Sequence, residues 1–290
     1  MLREAFPNPY RRRLLNLCTG QWVLVDLPEF RDHRVLRSTS EGLLVLLHDA
    51  THVVRLLNPL TRQVADLPPI TTTLGSEFNC NSPDNAGLLE DGGGATTTVV
   101  LYFSRISTLA FAKPGDEHWT LVKTDHYLMP TMSFAGLETR ENLPPRLVVA
   151  AQLAKPFSRM VDTVPLVDNG GELMLVHRKV RPVRDAEDCY RRKYTVYEVD
   201  LRAGKMIPAR RSLGGLAVFI GLYRTLSVSP RVFPFVRADA VYPGWNCHER
   251  SEIGAYHVAD GSVEAANCDM RSGLARPWSI ADFLSVYVSG

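Results

Sequence analysis

Charge of one sign is missing from this chain. Its 33 basic and 31 acidic residues leave a formal net charge of +2 over 290 residues. Nucleic-acid binding draws on clustered cations that neutralise phosphates, so this balance argues against a nucleic-acid partner. Cysteine is sparse. Cys18, Cys80, Cys189, Cys247 and Cys268 are odd in number, widely spaced, and contain no Cys-x-x-Cys. A disulfide framework favours an even set in a short secreted chain. No glycosylation sequon occurs; Asn81-Ser82-Pro83 comes nearest and lacks the hydroxyl residue at its third position. The opening MLREAFPNPYRRRLL has no signal-peptide core, and no apolar run is long enough to span a bilayer. These absences predict a protein of the cytoplasm or nucleus with no membrane association.

Helical periodicity is also scarce. What fills the chain instead is hairpin signals. Gly42–Leu47 and His52–Leu57 are β-rich runs parted by His48-Asp49-Ala50-Thr51. Val53–Leu57 runs into Asn58-Pro59, and a second short strand ends at Leu67-Pro68-Pro69. Ser107–Ala112 and His118–Lys123 flank Lys113-Pro114-Gly115-Asp116. Leu173–His177 follows Asp168-Asn169-Gly170-Gly171, Tyr194–Val199 and Met206–Arg210 flank Arg202-Ala203-Gly204, and Ile253–His257 and Val263–Ala265 flank Ala259-Asp260-Gly261. Short β-branched or aromatic runs bounded by Gly, Pro, Asn or Asp are what hairpins require. In YTVYEVDL, residues 194–201, apolar side chains fall on both faces, as in a sheet buried on both sides.

With 45% hydrophobic residues the chain has enough apolar surface for a sizeable core. Roughly twenty short strands predict an all-β fold, a β-propeller of about five or six four-stranded blades, one of them incomplete. The strand at Trp22–Asp26 is expected to pair with the last blade and close the ring. One helix is expected, at the C-terminus: Ser279 as N-cap, with Ile280, Phe283, Leu284 and Tyr287 on one face. Residues 1–13 read as a tail and 14–290 as the propeller.

Each chemical motif has a plainer reading beside it. His48-Asp49-Ala50-Thr51-His52 echoes a two-histidine zinc motif, but that chemistry needs a helix and a Glu base, and this segment sits between two strands. Gly92-Gly93-Gly94 leads into a strand, not the helix that a phosphate cradle needs. Cys247-His248-Glu249 are neighbours in sequence, whereas catalytic sets converge from separate elements; no Gly-x-Ser-x-Gly elbow occurs. No catalytic, metal or cofactor-binding residue is therefore assigned. The basic clusters Arg11–Arg13 and Arg178–Lys193 read as solvated loops; the first is alternatively a remnant linker or nuclear-import signal, the second a partner-binding loop. Trp22, Trp119, Trp245 and Trp278 read as packing residues, with an exposed rim Trp as the alternative anchor for a partner.

Four segments together resemble the KIB-type β-propeller family of plants, notably its expanded grass members, which are associated with F-box proteins. They are EGLLVL (41–46) leading into LLNPLTRQVADLPP (56–69), VDNGGELMLV (167–176), YTVYEVDLRAGKMIPARRSLGGLAVFIG (194–221) followed by LSVSP (226–230) and the strand at Ala238–Tyr242, and IGAYHVADGSVE (253–264). The resemblance implies a protein-binding propeller, which in full-length members selects targets for a ubiquitin ligase that the F-box reaches through a Skp adaptor. It implies no catalytic residues. Only about a dozen residues precede Leu14, too few for an F-box, so docking to the adaptor is expected to be lost. Family members also carry a further strand pair between Ser133-Phe134-Ala135-Gly136 and Pro144–Val149; Leu137–Leu143 is too short to supply it.

The resulting expectation is a monomeric, non-enzymatic interaction module that takes a protein partner through residues the sequence does not single out. The alternatives are a hydrolase using a metal held in the propeller channel, and a non-functional or dominant-negative fragment.

Overall fold

Short alternating runs cut by turn residues become antiparallel strands, because each run can bury one or both faces while the turn reverses the chain. The computed structural model describes residues 10–39, 42–75, 83, 85–90, 97–123, 133–140, 143–152, 164–182, 190–208, 211–220, 225–234, 236–243 and 253–265. Within them lie 21 strands and one α-helix, the four-residue α1 (Thr71–Leu74).

The strands make a five-bladed, all-β propeller of mostly four-stranded blades. Outside the blades, β1 (Arg11–Leu15) and β2 (Trp22–Asp26) form a hairpin. The first blade is β3 (His33–Ser38), β4 (Leu44–His48), β5 (Val53–Leu57) and β6 (Val64–Pro69). The second is β7 (Asn85–Glu90), β8 (Thr97–Phe103), β9 (Thr108–Ala112) and β10 (Thr120–Lys123). Among the described residues the third carries two strands, β11 (Ser133–Arg140) and β12 (Leu143–Gln152). The two segments pair with each other, and among the described residues Gln152 opposite Lys205 joins them to the next blade. That fourth blade is β13 (Leu166–Asn169), β14 (Glu172–Pro182), β15 (Tyr190–Asp200) and β16 (Lys205–Pro208).

The last blade departs from simple up-and-down order. Its strands β17 (Ala217–Ile220), β18 (Thr225–Val228), β19 (Ala240–Pro243), β20 (Ile253–His257) and β21 (Val263–Ala265) lie in the order β18-β17-β19-β20-β21, and β17 runs parallel to β19. The expected C-terminal helix at residues 279–287 lies outside the described residues.

The cores sit between blades. Leu47, Leu56, Leu67 and Ile70 of the first blade and its following turn pack with Val99, Leu101, Phe103 and Trp119 of the second. Val176, Tyr194 and Val196 of the fourth pack with Val218, Val241 and Tyr256 of the last. Both faces of the YTVYEV strand are used, since Tyr197 and Val199 join a separate cluster with Leu175 and Met206.

Among the described residues β2 pairs with β1 and with no strand of the last blade, which is where the ring-closing expectation had placed it. The hairpin reaches the ring through side chains: Leu15 and Leu17 pack against the Phe233 cluster of the last blade, while Val25 packs on Leu27, Leu44 and Leu46 beside the first. Arg11-Arg12-Arg13 is accordingly a strand and not a solvated loop. Arg11 pairs with Asp26 at 3.2 Å, and the Arg12 guanidinium lies 4.8 Å from the Phe30 ring centre. The guanidinium stays polar while the stem and plane pack, which lets arginines occupy a strand.

Candidate functional site

The inter-strand turns are the natural place for binding residues on a rigid scaffold, and four of them share one design. Asn58 Oδ1 accepts the backbone N–H groups of Leu60 (2.9 Å) and Thr61 (3.1 Å). The Arg62 N–H donates back to the Asn58 carbonyl at 2.8 Å, and Arg62 takes a left-handed φ of 63°. Asp200 does the same for Arg202 and Ala203, with Gly204 at φ 63°. Asn16 does it for Cys18 and Thr19, with Gly20 at φ 70°. A side-chain acceptor at the first position and a left-handed residue four positions on define the turn.

His48 fills the acceptor role in the β4–β5 turn. Its Nδ1 receives the N–H groups of Ala50 (3.3 Å) and Thr51 (3.1 Å), and His52 takes φ 57°. An Nδ1 that accepts two N–H groups leaves the ring proton on Nε2. His48 and His52 thus serve one turn.

Beneath that turn, His33 is held in one protonation state. Its Nδ1 is 2.8 Å from the Glu29 carbonyl, which only accepts, so Nδ1–H donates. Its Nε2 is 3.2 Å from Arg55 Nη1, which only donates, so Nε2 accepts. The ring is therefore neutral. Burial, followed by the nearby Arg55 and His48, holds its pKa below the ordinary 6.5 despite the opposing Glu29 carbonyl. Arg55 also forks onto Asp66, with Nε–Oδ1 2.7 Å and Nη2–Oδ2 3.3 Å, and Arg62 pairs with Glu29.

Asp239 gathers the loop before the last blade. Its Oδ1 accepts Leu213 N–H at 2.6 Å, Gly215 N–H at 3.1 Å and Ser212 Oγ–H at 2.9 Å. Nearby, buried Asn169 uses both ends of its amide: Nδ2 donates to the Leu213 carbonyl at 3.0 Å and Oδ1 accepts from Ser227 Oγ at 2.6 Å.

Against this geometry, the model of the KIB1-4 beta-propeller family matches residues 14–257. The chain belongs to the KIB1-4 β-propeller family. No curated protein matches it.

In this KIB1-4 propeller the second basic cluster is a correction to the loop reading. Arg178–Pro182 and Tyr190–Lys193 pair as the outer part of β14 and β15, whose pairing runs from Met174 opposite Glu198 to Pro182 opposite Tyr190. Charged side chains hid the strands, because apolar alternation is the usual strand signal; Val180, Tyr190 and Tyr194 were the strand-favouring residues that could have shown them. Trp119 is 3% exposed and its Nε1–H donates to the Pro68 carbonyl at 2.8 Å, bridging two blades. Trp22 opens β2 and is half-buried. Gly92–Gly94, Cys247-His248-Glu249, Trp245 and Trp278 lie outside the described residues. Among the described residues no three His, Cys, Asp or Glu side chains gather as a metal site, and no helix is long and apolar enough to cross a membrane.

Four turns occupy the same blade position, joining the last two strands: β5–β6, β15–β16, β9–β10 and β20–β21. The first two present exposed leucines, Leu60 at 65% and Leu201 at 55%. The Asp239 hub and the His33–Arg55 contact escaped sequence reading, since partners 22 to 27 residues apart carry no local spacing signal.

Proposed function

We propose that this KIB1-4 propeller is a non-enzymatic module that binds a protein partner through its blade turns. It resembles in this the target-recognising propeller of plant F-box proteins. The observation that carries the reading is the pair of exposed leucines held on turns whose backbone is fixed by Asn58 and Asp200. Apolar anchors on rigid turns bind with little ordering cost.

The test is affinity purification of the chain from plant cells, with Leu60→Asp and Leu201→Asp as paired variants. A stoichiometric protein partner that is lost in the double variant, at unchanged Tm, supports the reading. Retention of the partner by that variant overturns the turn surface. Turnover of small ester substrates by the purified protein contradicts the non-enzymatic reading.

A further inference from the structure

The β14–β15 hairpin is built to a different scale from its blade. β13 pairs with β14 only at Glu172–Leu175, and β16 pairs with β15 only at Tyr197–Asp200. From Arg178 to Pro182 and from Tyr190 to Tyr194 the two strands pair with each other. At strand rise this stretch is roughly 17 Å long.

Its register puts like charges side by side. Lys179 lies opposite Lys193, and Arg181 lies opposite Arg191. Alternation along each strand places positions 179, 181, 191 and 193 on one face of the ribbon. Arg178 and Arg192 stand at register positions of the other face, so these strand stretches hold six basic residues and no acidic one. Directly opposed like charges destabilise a strand pair, so the charges themselves oppose the register that the buried other face sets. The three acidic residues of the segment, Asp185, Glu187 and Asp188, all fall between the strands.

The other face anchors the ribbon. Val176, Tyr194 and Val196 are buried against the last blade, with the Tyr194 and Tyr256 ring centres 4.9 Å apart. Lys193 is exposed, Lys179 is half-buried, and neither forms an ion pair among the described residues. Two lysines opposed on one face, neither in an ion pair among the described residues, meet their complement in a segment of opposite charge.

We infer that the 179/181/191/193 face of the β14–β15 ribbon docks an acidic segment of a protein partner. This rests on the reading of the propeller as a protein-interaction module and names the chemistry of one contact. A protein segment is favoured over nucleic acid because the whole chain is nearly charge-balanced, +2, and offers no wider basic field to track a phosphate backbone.

The experiment uses the full chain and three fluorescent probes: a twelve-residue Asp/Glu-rich peptide, a neutral peptide of equal length, and a short DNA duplex. Anisotropy at low salt should show binding of the acidic peptide alone, weakening as ionic strength rises. Lys179→Glu and Lys193→Glu should each weaken it about threefold, and Lys179→Glu should also raise Tm, because it turns a repulsive cross-strand pair into an attractive one. A raised Tm together with weakened binding is an outcome that mere unfolding cannot produce. Unchanged peptide affinity in both variants overturns the inference, as does tighter binding of the DNA. Peptide binding that fails while the Leu60/Leu201-dependent partner is still captured refutes this inference alone; the reverse result refutes the turn surface and leaves this one standing.

Discussion

Replacing Trp119 by Phe tests whether the blades are held as one cooperative unit. The indole is 3% exposed, sits within the cluster that joins the first two blades, and donates its only polar hydrogen to the Pro68 carbonyl at 2.8 Å. Phe keeps an aromatic ring there but cannot donate. The orphaned buried carbonyl costs about 1–3 kcal/mol, and the smaller ring removes roughly another 1 kcal/mol of packing. The total, about 2–4 kcal/mol, is a large share of the roughly 5–15 kcal/mol that holds a domain together. With a urea slope of about 2–3 kcal/mol/M, the midpoint followed by far-UV circular dichroism should fall by about 1 M. The slope should stay the same, with a single transition. Thr73→Val removes the 3.2 Å bond to the Trp119 backbone N–H while leaving the indole in place, and should cost only about 1 kcal/mol. A Trp119→Phe midpoint within about 0.2 M of wild type would refute the bond's role. Two separated transitions would refute the claim that the inter-blade core couples its neighbours.

Other outcomes follow from the turns and buried polar groups. Asn58→Ala should lower Tm by about 2–4 °C through loss of the two turn bonds, whereas Asn58→Asp should be near neutral; equal losses would show that the side-chain acceptor is not what fixes the turn. Gly20→Ala should destabilise by about 1–2 kcal/mol in urea unfolding, because Gly20 has φ 70° and a Cβ there would lie 3.3 Å from Val232 Cγ1. Asp239→Ala should cost about 2–4 kcal/mol by the same assay, since three donors lose one acceptor; a cost under 0.5 kcal/mol would count against the hub. For His33, the unfolded ring gains its proton near pH 6.5, while the folded ring resists it until lower pH. Stability is therefore full above pH 6.5 and declines as pH falls below it. His33→Gln lacks that decline, so its difference from wild type should shrink between about pH 7.5 and 5; a constant difference would sink the argument.

The strands were legible wherever apolar alternation met turn residues. Val53–Leu57, Asn58 and Val64–Pro69 could be read in order from the sequence, and the structure places them so. Two kinds of feature were not legible. Strands made of arginine and lysine, Arg11–Leu15 and the outer β14–β15 ribbon, conceal their pairing because charge resembles solvent-facing loop. The hairpin at Asn16–Gly20 has the same acceptor-to-glycine spacing as Asp200–Gly204, so the turn itself was written in the sequence although its flanking strand was not. Contacts between residues distant in sequence, such as His33 with Arg55 inside the first blade or Asp239 with Leu213 beside the last, depend on which strands become neighbours, and no local window contains that information. For the same reason the His48–His52 spacing suggested metal chemistry, while the fold uses His48 Nδ1 in the position where other turns place asparagine or aspartate.

The shared turn also bears on how such a surface can diversify. Only its first residue and its left-handed fifth are tied to geometry; of the three between them the last two contribute backbone N–H groups that any residue but proline supplies, and the first contributes none. Leu17-Cys18-Thr19, Asp49-Ala50-Thr51, Pro59-Leu60-Thr61 and Leu201-Arg202-Ala203 already differ widely within one chain. Mutational drift at these positions can rewrite what the rim offers a partner without shifting strand register, so descendants of one such gene can acquire new binding preferences while the ring beneath them stays the same.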